Sequence, residues 1–173
     1  MRLIVTDAGP LIAFARSGLL ELLQQMAGDL LVPATVYSEC TREALKPGAK
    51  AVIEARRAKR LKVRNDAETT AKFAGKFANL PSLGAGEIAA LAMALDLECP
   101  VLMDERLGRN VARLHKIQVI GSAGVLLAAK ERRLIAEIAP ILAAWRNWRY
   151  FLSPSLLAAI LQRAGELPGD SSS

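Results

Sequence analysis

Arg2-Leu3-Ile4-Val5-Thr6-Asp7-Ala8-Gly9-Pro10-Leu11-Ile12 sets a short apolar, partly β-branched run against a carboxylate, followed by a glycine and a proline suited to a helix start. The run predicts a buried strand ending in Asp7. Open parallel α/β sheets collect their reactive groups just beyond the carboxyl ends of the strands. Asp7 is therefore a candidate site residue, although taken alone it fits better as the N-cap of a helix beginning near Gly9. Other acids at matching positions decide between the two.

The 173 residues are 52% hydrophobic and only 5% aromatic. That length suits one domain, and a core of Ala, Leu, Ile and Val suits helices packed on a sheet better than a β-sandwich. The expected class is α/β. A net charge of +6 and a pI near 9.7 attract polyanions, either nucleic acid or an anionic membrane surface. Cys40 and Cys99 lie far apart with no metal-ligand spacing, and read as free thiols in a reducing compartment. With no secretory pattern and no apolar run of about 18 residues, a soluble, cytoplasmic protein without a membrane span is expected.

Apolar residues recur at helical spacing over 11–15 and 19–26, broken at Ser17-Gly18. Leu30-Leu31-Val32 predicts a second strand, and Pro33 opens a helix carrying Val36, Tyr37, Glu39 and Cys40. Pro47-Gly48 interrupts the chain before a helix over 49–59. A brief strand at 61–63 and a helix over 67–78 come next. Asn79-Leu80-Pro81-Ser82 reads as a loop into Gly84-Ala85-Gly86 and a helix over 87–97. Cys99-Pro100-Val101-Leu102-Met103 repeats the opening pattern, an apolar strand ending in Asp104-Glu105. A helix over 105–116, a strand at 118–120 and a helix from Gly121-Ser122 to about Arg132 complete this part. Leu134, Ile138, Ile141, Leu142 and Trp145 share a helical face on which Pro140 marks a kink or restart. Ser153-Pro154 caps a last helix, stopped by Gly165.

Asp7 and Asp104 at strand ends, Glu39 on a helix and Glu87 opening another form the conspicuous acid set. In a parallel sheet with the two strands as neighbours, Asp7 and Asp104 face one another across a crevice. Clustered carboxylates repel unless protonated or neutralised by a cation. An all-oxygen donor set without His or Cys suits Mg²⁺ or Mn²⁺ rather than zinc, and metal-assisted hydrolysis of a phosphodiester is the matching reaction class. On the helix after Asp104, Leu107, Val111 and Leu114 are expected to be buried. Arg106, Arg109, Arg113 and Lys116 form a basic stripe, with Arg106 and Arg109 placed for phosphate contact. Arg56, Arg57, Lys59, Arg60, Lys62 and Arg64 are equally consistent with a solvated face and with phosphate contact. His115, the only histidine, is expected at a helix C-terminus.

Val-Thr-Asp-Ala-Gly-Pro-Leu-Ile, Pro-Ala-Thr-Val-Tyr-Ser-Glu, Leu-Gly-Ala-Gly-Glu-Ile-Ala-Ala-Leu-Ala, Val-Leu-Met-Asp-Glu-Arg-Leu-Gly-Arg and Val-Ile-Gly-Ser-Ala-Gly-Val-Leu follow in the order seen in PIN-domain nucleases. More narrowly the chain resembles the DUF3368 branch, near the VapC-like toxin ribonucleases, over about residues 2–130. The resemblance implies a three-layer α/β/α domain with a central parallel sheet over 1–130. A C-terminal helical extension over 131–166 is packed on the same domain, and 167–173 are expected as a disordered tail. It also implies a Mg²⁺- or Mn²⁺-dependent RNase site holding Asp7, Glu39, Glu87 and Asp104, with Glu87 where toxins of this type more often carry Asp. Thr6 is the nearest match to the Ser or Thr that many relatives place near the metal. RNA substrate, a small antitoxin protein and a homodimer are the partners it implies.

Two rival readings remain at this level. One is a catalytically silent PIN-like module binding nucleic acid or protein, against which the complete acid set argues. The other takes Gly84-Ala85-Gly86-Glu87-Ile88-Ala89 as a dinucleotide-binding turn of an oxidoreductase. It ranks lower because no apolar strand leads into that turn.

Overall fold

The computed structural model describes residues 3–77, 83–150 and 152–167. The chain divides into two compact units, Met1–Gly121 and Ser122–Ser173. The first unit carries β1 (Leu3–Thr6), α1 (Ala8–Arg16), α2 (Leu20–Ala27), β2 (Asp29–Pro33), α3 (Ala34–Thr41), α4 (Ala49–Arg57), β3 (Lys62–Arg64), α5 (Ala67–Phe77), α6 (Ala85–Asp96), β4 (Val101–Leu102), α7 (Arg106–Leu114) and β5 (Val119–Ile120). All strand pairs are parallel, in the order β3-β2-β1-β4-β5. Right-handed crossovers place α1–α4 on one face and α5–α7 on the other. Accordingly α1, α3 and α4 pack on one another, and α5 and α7 pack on α6. This is a three-layer α/β/α sandwich.

The order of strands reverses between β1 and β4, which makes their junction the switch point where such sheets hold ligands. Thr6 pairs with Leu102, and Asp7 N–H donates to Leu102 O at 3.0 Å. The core behind this junction is fully buried at Val5, Leu11, Phe14, Val32, Leu91, Val101 and Leu102. Asp66 secures the other half of the sheet. It is 4% exposed, and its carboxylate accepts Thr35 N–H at 2.8 Å and Thr35 Oγ1–H at 2.7 Å, tying the end of β3 to the start of α3.

The basic segment around β3 is partly paired within the fold. Lys62 meets Asp29 at 2.6 Å, Arg60 pairs with Glu21, and the Arg56 guanidinium lies 4.5 Å over the Tyr37 ring. Lys62 and Arg64 are exposed on this edge strand, where charge discourages pairing with another chain.

In the second unit α8 (Ser122–Glu131), α9 (Ala139–Asn147) and α10 (Pro154–Ala164) are linked through Glu166. Its carboxylate accepts Ile138 N–H at 2.9 Å and Ala139 N–H at 2.7 Å, and pairs with Lys130. Those partners outweigh its desolvation and hold its carboxyl below the usual range. Pro140 lies in the first turn of α9 and so marks a restart rather than a kink.

Two expected faces are corrected. Leu114 is 71% exposed, because α7 buries Gly108, Val111 and Ala112 and so turns position 114 outward. Leu134 lies before α9 and is 38% exposed, while Leu142 and Trp145 carry that helix's buried side. His115 is the C-cap of α7, edge-on to Phe77 with ring centroids 5.3 Å apart. The loop expected at 79–82 and the tail expected at 167–173, Leu167 excepted, lie outside the described residues. Among the described residues no helix is long and apolar enough to cross a membrane.

Candidate metal centre

Asp7 follows the last residue of β1 and stands at the N-cap position of α1, yet its side chain makes no capping hydrogen bond. It is 7% exposed. Burial pushes its carboxyl up to about 6, Glu87 and Glu39 add to the rise, and the N–H groups of Ala8 and Gly9 oppose it. An acid so placed at a sheet's switch point is a stronger sign of a site than of a cap.

Glu39 comes from α3 and Glu87 from the first turn of α6. Glu39 Oε1 accepts Gly86 N–H at 2.9 Å, and Glu87 Oε2 accepts Gly84 N–H at 2.8 Å. The Gly84 bond is the half of a capping box that remains when the cap residue has no side chain. Glu87 Oε1 is buried and accepts no hydrogen bond. Burial raises the Glu87 carboxyl, and Glu105 and Glu39 raise it further. Cys40, beside Glu39, has its thiol pushed up to about 12 by burial and then by Asp7 and Glu39.

Asp104 follows β4. Its carboxylate Oδ1 is 4.0 Å from Arg109 Nη1, which also donates to Met103 O at 3.4 Å. Glu39 and Glu87 thus both act on Asp7, and Glu39 also acts on Glu87, whereas Asp104 reaches the same end of the sheet through the β1–β4 pairing. Among the described residues, no three Asp, Glu, His or Cys side chains converge closely enough to hold a cation as they stand.

A family model described as a PIN domain, DUF3368, matches residues 3–166. The chain belongs to the PIN-domain family. A search of curated proteins finds no match. Among solved structures, this PIN domain is similar to a PilT N-terminus domain protein from the hyperthermophilic archaeon Sulfolobus solfataricus P2. The two share 13% identity at a TM-score of 0.49, over 73% of this chain and 92% of that one. PIN domains are generally nucleases and typically use divalent metals.

The residues of this PIN domain suit such an ion on their own chemistry. The donors are all carboxylate oxygens, burial and neighbouring acids raise the carboxyls of Asp7 and Glu87, and Glu87 Oε1 is left without a donor. Three glycines make room for the acids. A Cβ on Gly86 would lie 2.3 Å from Glu39 Oε2, one on Gly108 3.1 Å from Glu87 Oε1, and one on Gly121 3.3 Å from Asp104 Oδ1.

Sequence reasoning missed these glycines and Glu105, the N-cap of α7, which accepts Gly108 N–H at 2.9 Å and faces Glu87. The Asp104-Glu105 pair was visible, but only the fold turns Glu105 towards Glu87. Of the residues expected to meet nucleic acid, Arg106 and Arg113 are exposed on α7, and Arg109 is turned partly inward. Thr6 is wholly buried, with its hydroxyl donating to Asp7 O at 3.0 Å, and has no surface to offer a strand. Gly84 is the N-cap of α6, and among the described residues the element before it is the helix α5, where a dinucleotide turn needs a strand.

Proposed function

We propose that this PIN domain is a metal-dependent endoribonuclease that hydrolyses RNA phosphodiester bonds, acting as the toxin of a toxin–antitoxin pair. The observation that carries the reading is the gathering of acids at the sheet's switch point, where Glu39 is bonded to the Gly86 amide next to Glu87 and Glu87 Oε1 is buried without a donor. Asp7, Glu39, Glu87 and Asp104 would hold Mg²⁺ or Mn²⁺, which when bound supplies Lewis-acid chemistry to phosphodiester hydrolysis. Asp7 serves in its ionised form, and its burial keeps competing water from it. Arg106 and Arg113, exposed along α7, are placed to hold RNA phosphates, and the net charge of +6 draws the polyanion in. The antitoxin and the homodimer are proposed from the family resemblance alone.

The test is cleavage of a mixed RNA pool by wild type and Asp104→Asn, each with Mn²⁺ and with EDTA. Cleavage only by wild type with Mn²⁺ is the expected result. Cleavage that persists in the variant or in chelator overturns the metal mechanism.

A second reading, a silent PIN-like binding module, would rest on the basic side chains alone, with Arg106 and Arg113 exposed on α7 and Lys62 and Arg64 exposed on β3. Salt-dependent RNA binding without Mn²⁺ binding and without cleavage would select it.

A further inference from the structure

Arg109, a member of the basic stripe on α7, also has partners inside the fold. Its side chain is 26% exposed, and its Nη1 lies between Met103 O at 3.4 Å and Asp104 Oδ1 at 4.0 Å. Gly121, which follows β5, closes the other side: a Cβ there would sit 2.8 Å from Nη1 and 3.3 Å from Asp104 Oδ1. Gly121 is not among the residues with positive φ, so space and not dihedral freedom excludes a side chain. The backbone at the ends of β4 and β5 is thus shaped around a guanidinium and a carboxylate lying side by side. At 4.0 Å the two charges form an ion pair beyond hydrogen-bond distance.

We propose that Arg109 is a positioning residue and built-in counter-charge for Asp104, stabilising the metal-free fold while weakening the site's hold on a divalent cation. This rests on the metal-site reading above. The guanidinium offsets carboxylate charge at the crowded end of the sheet, and a divalent ion arriving at Asp104 meets a partner already compensated. Arg109 therefore sets how much Mg²⁺ or Mn²⁺ the site needs.

The experiment is calorimetric titration of metal-free wild type, Arg109→Gln and Arg109→Lys with Mn²⁺, together with melting in EDTA and in saturating Mn²⁺. Arg109→Gln is expected to bind Mn²⁺ on the order of fivefold more tightly, as expected for removing one partly screened charge. It should also melt lower than wild type in EDTA, with the deficit shrinking in Mn²⁺. Arg109→Lys, which keeps the charge, should stay near wild type in both. Equal Mn²⁺ affinity in wild type and Arg109→Gln overturns the inference, as does a lysine variant that behaves like the glutamine one. If Arg109→Gln does not fold, Arg109→Met, which keeps the apolar stem without the charge, takes its place, and an unchanged Mn²⁺ affinity there overturns it equally. Absence of Mn²⁺ binding in wild type overturns the metal-site reading itself, and this inference with it.

Discussion

Glu39 Oε1 accepts the backbone N–H of Gly86 at 2.9 Å across 47 positions of sequence, joining α3 to the first turn of α6. The bond seats one acid on the amide that precedes another, Glu87. A methyl group at Gly86 would enter that contact, 2.3 Å from Oε2 and 2.8 Å from Cδ. Gly86→Ala should therefore move Glu39 while leaving the helix intact, since Ala is the better helix residue. Mn²⁺ affinity and RNA cleavage are expected to fall at least about tenfold, about 1.4 kcal/mol of lost interaction. The melting temperature should change little. Calorimetric titration beside a thermal melt checks both halves.

Asp7 sets a pH dependence whose sign is opposite to that of an ordinary paired carboxylate. Its pKa rises from 3.8 to about 6 on folding without metal, so the folded state holds the proton more tightly than the unfolded chain. Stability of the metal-free protein should fall as pH rises from about 4 to 6, by roughly 3 kcal/mol at most from this group. Asp7→Asn should then be more stable than wild type at pH 7 in EDTA, by about 1–3 kcal/mol, and indistinguishable near pH 4. Denaturant titrations at the two pH values measure this. The same variant should bind Mn²⁺ poorly at either.

Asp66 holds α3 in place through Thr35. Asp66→Ala leaves Thr35 N–H and its hydroxyl without their carboxylate in a buried setting, and should cost about 2–4 kcal/mol. The melting temperature is expected to drop by roughly 5–10 °C for a chain of this size. Asp66→Asn, which keeps one acceptor, should fall between the two.

Lys59 and Lys116 follow α4 and α7 with φ of 57° and 58°, in the left-handed region that glycine occupies most readily. Their amides close the helix ends, with Lys59 N–H on Arg56 O at 2.9 Å and Lys116 N–H on Arg113 O at 3.0 Å. Glycine relieves the strain but adds freedom to the unfolded chain, for a net gain of about 0.5–1 kcal/mol. Lys59→Gly and Lys116→Gly should each melt a few degrees higher with unchanged Mn²⁺ affinity. A melt at or below the wild-type value counts against the strain argument.

The strands that carry Asp7 and Asp104 were legible because each is an apolar run closed by a carboxylate, a local pattern. Even the two-residue β4 shows in Val101-Leu102 between Pro100 and the acids. The face of α7 misled because a glycine contributes no apolar signal. Leu107, Val111 and Leu114 keep helical period, but the packed side is the one where Gly108 brings the helix close to Met103 and Glu87. Gly86, Gly121, Glu105 and Asp66 went unread for a related reason. Their partners are set by how crossovers bring distant segments together, which spacing along one element does not encode.

Glu166 has a consequence for how the chain is made. It is the acceptor for the first amides of α9, yet it follows Ile138 by 28 residues. During synthesis α9 therefore leaves the ribosome before the carboxylate that closes its first turn exists. The first turn of α9 is therefore closed only once α10 has been added and the segment after it has folded back.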